Sequence, residues 1–402
     1  MEIKAALRTW KENVLYGVLA VVLGAVVGVI CAVFGRGLIA ISGFREAHLL
    51  PLILLLAPAG LLMVWCYTRY GAGAGRGMGL VFAVGHGEEE KIPVRLVPLV
   101  LLSTWLTHLC GGSAGREGVA VQIGATVSHW AARRLAPEAG TIFLLAGMAA
   151  GFAGLFRTPI AAVLFALEVL WAGKICYKAL FPAFLAAFTA SGVSGLLGLG
   201  KFTAEMGEAW VLDWVMLAKL LGLGILFGLA GRLFCHLLAY TKGLFARKME
   251  NPYVRVAVVG VCLTVVLLVL HQGRYCGLGT NLIESSFSGG AIYGYDWILK
   301  LVLTIATLSA GFQGGEVTPL FAIGASLGVA LAGVFGLPVE LVAALGYASV
   351  FGSATNTFFA PIMIGAEAFG FAHLPMFFVA CTAAYCFGSH KSIYGAQKTL
   401  ED

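Results

Sequence analysis

Apolar residues fill this chain in long runs separated by short, glycine-rich breaks. The runs extend from about Val14 to Phe34, Leu49 to Tyr67, Val94 to Cys110, Ile142 to Trp171, Leu180 to Leu199, Trp210 to Tyr240, Arg255 to Leu270, Trp297 to Ala310, Leu320 to Phe351 and Leu374 to Phe387. A helix needs about 20 residues to cross a bilayer. The shorter runs therefore predict partial or re-entrant helices, and the longest ones predict tilted or interrupted helices.

The pattern also repeats. Gly154 to Glu168 (GLFRTPIAAVLFALE) resembles Thr355 to Phe369 (TNTFFAPIMIGAEAF), and Pro159 and Pro361 stand 202 residues apart. At nearly the same offset, Ser113 to Gly118 (SAGREG) answers to Ser309 to Val317 (SAGFQGGEV). Each half thus has a glycine-rich helix start, followed some 40 residues later by a Pro-Ile helix with an inward acid. Residues 1–204 and 205–402 are expected to form two membrane repeats, with no separate soluble regulatory domain and none after Asp402. Two related halves with discontinuous helices place an ion site near the midplane, made by both. Periodicity alone leaves the halves parallel or inverted.

Composition narrows the class. With 60% hydrophobic and 11% charged residues and a mean hydropathy of +0.92, the chain is excluded from soluble globules, in which charged residues approach about 25%. It reads as an all-α, multi-pass membrane protein. The first residues hold Glu2, Lys4, Arg8, Lys11 and Glu12, and no small-residue cleavage site follows the run from Val14, so that run reads as retained. Lys4, Arg8 and Lys11, with His390, Lys391 and Lys398 near the other end, place both termini in the cytoplasm, hence an even number of crossings. The net charge of +6 is scattered over short loops and implies no nucleic-acid partner. Nine cysteines occur singly without a C-x-x-C pair, so neither a disulfide framework nor a metal site is expected.

The candidate chemistry lies in Gly111 to Val119 (GGSAGREGV). A charge at membrane depth costs roughly 2.5 to 3.5 kcal/mol, so Glu117 there is a functional residue by default. The glycines let successive N–H groups converge, and the helix that follows adds its positive dipole end. Such a seat holds either an anion or the Glu117 carboxylate.

Three stretches together resemble those of the CLC chloride channels and proton antiporters: GGSAGREG from Gly111, GFQGGEVTPLFAIG from Gly311, and Ser392-Ile393-Tyr394. The resemblance covers nearly the whole chain. It implies a CLC-type fold of two inverted-topology repeats of tilted and re-entrant helices, and a homodimer with one pathway per subunit. It also makes Glu117 the gating, proton-carrying glutamate and Tyr394 the residue closing the inner side of the central anion site.

Departures from the usual family motifs are equally informative. Where ordinary members read GSGIP, this chain has Gly75-Arg76-Gly77-Met78-Gly79-Leu80, with methionine in place of the anion-coordinating serine. GREGP has become Gly115 to Val119, a GGIFAP-type third stretch has become Gly314-Gly315-Glu316-Val317-Thr318-Pro319, and Val169 stands where proton-coupled chloride members have an inner glutamate. These changes resemble the CLC-F branch, the bacterial fluoride/proton antiporters. The resemblance then implies anion contacts at Met78, Gly79, Gly118, Val119, Glu316, Val317, Thr318 and Tyr394. It implies fluoride and protons as the transported species, membrane lipid as surroundings, a bacterial inner membrane as location, and no cofactor.

The chemistry of fluoride fits these replacements. Fluoride is a small, hard acceptor, which Thr318, Tyr394 and a neutral Glu316 buried among Phe312, Val317 and Phe321 would serve as donors. One carboxylate carrying one proton per swing predicts close to one fluoride per proton. Glu168 and Glu367 read as structural acids satisfied by backbone donors or water, and Arg116 as the partner of a carbonyl or carboxylate. Phe312, Phe321, Phe358 and Phe359 read first as packing, while isolated His108, His129 and His271 lack metal-ligand spacing. The nearest alternative is a CLC chloride/proton antiporter or chloride channel. An enzyme is disfavoured, with no G-x-S-x-G, H-E-x-x-H or P-loop present, and a cation transporter would want more carboxylates.

Overall fold

A computed structural model describes residues 2–207, 210–388 and 391–399, with side chains from Glu12 onward. His390 and Asp402 lie outside the described residues, as do the side chains of Glu2, Lys4, Arg8 and Lys11. The first half contains α1 (Glu2–Ala47), α2 (Leu49–Ile53), α3 (Leu56–Tyr70), α4 (Met78–Gly85), α5 (Leu96–Leu109), α6 (Glu117–Leu135), α7 (Gly140–Phe156), α8 (Pro159–Glu168) and α9 (Leu180–Leu196). The second contains α10 (Trp214–Lys248), α11 (Pro252–Val269), α12 (Thr280–Phe287), α13 (Asp296–Ala310), α14 (Val317–Phe335), α15 (Val339–Thr355), α16 (Phe359–Phe369) and α17 (Leu374–Phe387). Helices α1, α7, α9, α10, α11 and α14 are long and apolar enough to cross a bilayer. The chain is a multi-pass membrane protein.

Three apolar runs do not form single helices: Leu49 to Tyr67 is divided between α2 and α3, and two longer runs are broken by left-handed residues. Ile142 to Trp171 breaks at Arg157, which is left-handed at φ 60°, just before Pro159 starts α8. Leu320 to Phe351 breaks at Gly336, at φ 57°, before Pro338. A left-handed residue followed by proline ends one helix and opens the next. The length of these two runs predicts an interruption, but hydropathy does not place it because both arms are apolar. In the opposite sense, α1 outruns its apolar segment, continuing through Arg36 and Arg45 to Ala47. Those guanidiniums donate to the carbonyls of Leu197 at 2.9 Å and His108 at 3.2 Å. The short helices α4 and α12 lie within segments that hydropathy leaves as loops.

The halves are inverted copies. Gly115 and Gly315 form an antiparallel bridge, with N–O distances of 2.5 and 2.8 Å. Helices α6 and α14 both start beside it, so two N-termini face one centre from opposite directions. Each then packs closely along its successor, α6 on α7 and α14 on α15. Gly124 and Gly147 meet at the first crossing, and Gly324 and Gly346 meet at the second.

The acids Glu168 and Glu367 lock the halves together. Glu168, ending α8, accepts from the backbone N–H groups of Phe358, Phe359 and Ala360 at 3.0, 3.1 and 2.8 Å, which caps α16. Glu367 in α16 accepts from Ile160 and Ala161 at 3.3 and 2.8 Å, capping α8. Each half supplies the acceptor that the other's helix start lacks. Glu168→Ala would leave three of these donors bare. It is expected to destabilise the protein by on the order of 3 kcal/mol, read as a lower melting temperature in detergent.

Tyr16, near the start of α1, and Lys398, near the last described residue, lie on one face. Tyr16 in α1 donates to Glu138 at 3.2 Å, Arg133 near the end of α6 pairs with Glu90 at 3.3 Å, and Lys398 pairs with Glu88 at 2.7 Å. The charged run from Glu88 to Lys91 is therefore a solvated edge joined by surface ion pairs.

Candidate anion pathway

Glu117 is the first residue of α6, and its side chain is fully buried. It does not cap its own helix. The carboxylate reaches across the bridge to the start of α14, where Oε2 accepts from the Thr318 amide at 3.1 Å and from the Thr318 hydroxyl. Oε2 also accepts from the Arg116 amide at 3.3 Å, and Oε1 meets Arg116 Nε at 3.4 Å. Arg116 thus pairs with Glu117 itself. A carboxylate held by convergent donors at a helix N-terminus marks a place suited to negative charge.

Beside this seat lies a cavity of about 530 Å³, whose lining runs from Glu316 to Arg76 and residues 392–396. Of the predicted anion contacts, Met78, Gly79, Glu316 and Tyr394 line it together. Gly118 adjoins them, since a Cβ built there would lie 3.8 Å from Glu316 Oε2. Thr318 belongs to the Glu117 seat. Val119 and Val317 are buried in the first turns of α6 and α14 and do not line the cavity.

Tyr394 is buried, packed against Phe82 at 5.3 Å and Phe165 at 6.3 Å between ring centroids. Its hydroxyl has no hydrogen-bond partner among the described residues. A buried phenol without an acceptor is costly, so it is a donor waiting for one. The strap 391–399 holds it in place: Ile393 N bonds Ala354 O at 2.9 Å, and Gln397 Nε2 donates to Val169 O at 2.9 Å and Thr355 O at 3.1 Å. Val169 is fully buried.

Phe321 stacks on Tyr347 at 4.1 Å and also meets Phe156 and Phe351 at 5.2 and 5.1 Å. Phe358 and Phe359 contact each other at 4.8 Å, and Phe312 lines the cavity. These aromatic contacts agree with the packing role.

Sequence reading missed several polar residues at or near this pathway. Arg76, Gln122, Lys242 and Gln313 also line the cavity. Lys300 is fully buried behind the Gly111–Gly115 turn, donating to Ser113 Oγ at 2.9 Å, Tyr275 O at 3.2 Å and Gly277 O at 2.7 Å. A lysine inside the apolar run from Trp297 was the available signal. The cavity residues carry no such signal, because four distant segments and Gln122 of α6 build the cavity. Among the described residues no group of histidines, cysteines and acids could hold a metal.

Inverted repeats whose helix starts converge on one buried acid, beside an open polar cavity, define an ion-translocating membrane protein. The chain belongs to the voltage gated chloride channel family, whose profile matches residues 59–389. It is 36% identical over 393 residues to a chloride/fluoride channel protein of Pseudomonas syringae pv. tomato, covering 94% of this chain and 85% of that one. Among solved structures it is similar to a CLC-type fluoride/proton antiporter, with 53% identity, a TM-score of 0.94 and coverage of 96% of this chain and 98% of the other. A slow cyanobacterial Cl⁻/H⁺ antiporter, at 21% identity and a TM-score of 0.82, covering 94% and 96% respectively, shares the fold.

Proposed function

We propose that this protein exports fluoride in exchange for protons across a bacterial inner membrane, protecting the cell from the anion. The observation that carries the reading is the Glu117 carboxylate seated on the Thr318 amide and hydroxyl, at the helix start where an anion would bind. Fluoride taking those donors displaces the carboxylate, which then takes a proton to lie uncharged at membrane depth. When the fluoride leaves, Glu117 releases its proton and returns. Loading the seat and loading the acid are thus opposite halves of one event.

The anion contacts of this reading are Met78, Gly79, Gly118, Val119, Glu316, Val317, Thr318 and Tyr394. Met78 offers no hydroxyl for a larger halide, whereas the unpartnered Tyr394 hydroxyl and the Thr318 hydroxyl suit a strong acceptor. The repeats are assigned to residues 1–204 and 205–402, both chain ends to the cytoplasm, and the working form to a homodimer with one pathway in each subunit. Tyr16 and Lys398 lying on one face support the topology.

Purified protein in vesicles is expected to move protons inward as fluoride moves outward, at close to one for one, with an imposed pH difference driving fluoride uphill. Simultaneous fluoride-electrode and proton recordings test this. Fluoride flux that ignores the pH difference would refute exchange. Equal fluxes of chloride and fluoride would favour the chloride transporter reading, which the 36% identical chloride/fluoride relative also keeps in view.

A further inference from the structure

The cavity carries two cations that the exchange cycle leaves idle, Arg76 and Lys242. They are not equivalent. Arg76 donates to Glu89 at 2.6 Å on the solvated edge, so its charge is already matched. Lys242 lies on the face of α10 formed by Cys235, Leu238, Ala239 and Lys242, the face that lines the cavity. Its side chain is 47% exposed and that of Glu316 is 15% exposed, while Nζ stands 3.9 Å from Glu316 Oε1. That separation is a charge contact without a close hydrogen bond. The ammonium keeps donors free for a second acceptor, and a loose, half-wet pair is exchanged at little cost.

Resting on the fluoride/proton exchange reading above, we infer that Lys242 is the residue that receives the anion at the cavity mouth, with Glu316 as a carboxylate, in place of the neutral donor expected from the sequence, serving as its resident counter-anion. Fluoride arriving from the cavity replaces Glu316 on the Lys242 ammonium. The position of Glu316 gives the onward route, because its other oxygen approaches Gly118, next to Glu117. Lys242, Glu316, Gly118 and Glu117 thus form a continuous line from water to the seat.

The test is initial fluoride flux from vesicles against fluoride concentration, at low and high ionic strength, for Lys242→Met, Lys242→Arg and Glu316→Gln. Lys242→Met is expected to raise half-saturating fluoride about tenfold and flatten its ionic-strength dependence, and Lys242→Arg is expected to restore both. Glu316→Gln removes the competitor and should shift half-saturation the opposite way. Unchanged half-saturation in Lys242→Met, or an arginine variant as impaired as the methionine one, would overturn the assignment, as would a rise in Glu316→Gln. The fluoride-to-proton ratio of the unmodified protein separates the two readings. If that ratio fails, exchange itself is wrong; if it holds while Lys242→Met changes nothing, only the role of Lys242 is lost.

Discussion

Glu117→Gln is expected to abolish proton transport while fluoride still flows down its own gradient. The amide keeps the size of the side chain, and its oxygen can still accept from the Thr318 donors that now hold the carboxylate. It carries no exchangeable charge. It therefore neither competes with fluoride as an anion nor takes up a proton when displaced. Proton recordings from variant vesicles should fall to the leak of empty ones, and an imposed pH difference should no longer drive fluoride uphill. Undiminished proton-driven flux would show that another group carries the proton. The distribution of acids near the seat makes the expected loss complete. Val169 supplies no carboxylate, Glu168 and Glu367 are committed to five backbone amides, and Glu316 is paired with Lys242 at 3.9 Å.

Gly124→Val and Gly324→Val are each expected to prevent accumulation of folded protein. These glycines stand 200 residues apart and occupy matching crossings, Gly124 against Gly147 and Gly324 against Gly346. A Cβ at either would fall well under 3.0 Å from a backbone carbonyl of the partner helix, closer than real Cβ atoms come. Backbone cannot rotate aside as a side chain does. Relief would require separating α6 from α7, or α14 from α15, and those helices carry the two starts that meet at Gly115 and Gly315. Overpacking a tight core commonly costs about 1 to 3 kcal/mol, and an obstruction by main-chain atoms exceeds that range. Size-exclusion profiles of detergent extracts should show the loss. Gly243, with no atom within 4 Å of an added Cβ, provides the control, and Gly243→Ala should leave the profile intact.

The repeat, the buried acid Glu117 and the fold class were legible because short motifs carry them. Glycine clusters and Pro-Ile pairs keep their spacing whatever the surrounding residues do, and a lone acid between apolar runs stands out. Helix breaks were harder to see. Arg157 and Gly336 reverse the chain within stretches apolar on both sides, so only backbone dihedrals reveal them. The Pro-Ile helices were evident, but the destinations of their acids were not. Glu168 lies 190 residues from Phe358, whose amide it holds, and no local pattern encodes that meeting. The cavity was the least legible feature, because residues 75–79, 235–242, 311–316 and 392–396 contribute one wall each. Arg76 and Lys242 look like ordinary loop and helix-end cations until those walls close.

The crossed carboxylates constrain how anything can pass. Many inverted-repeat carriers work by tilting one half against the other about a fixed substrate. Here such tilting would shear five carboxylate-held amides and the paired glycine bonds together, a barrier on the order of 10 kcal/mol. Under the proposed exchange the scaffold is therefore expected to stand still. Passage is left to single side chains swinging within a stationary frame, a turnstile rather than a rocking cradle.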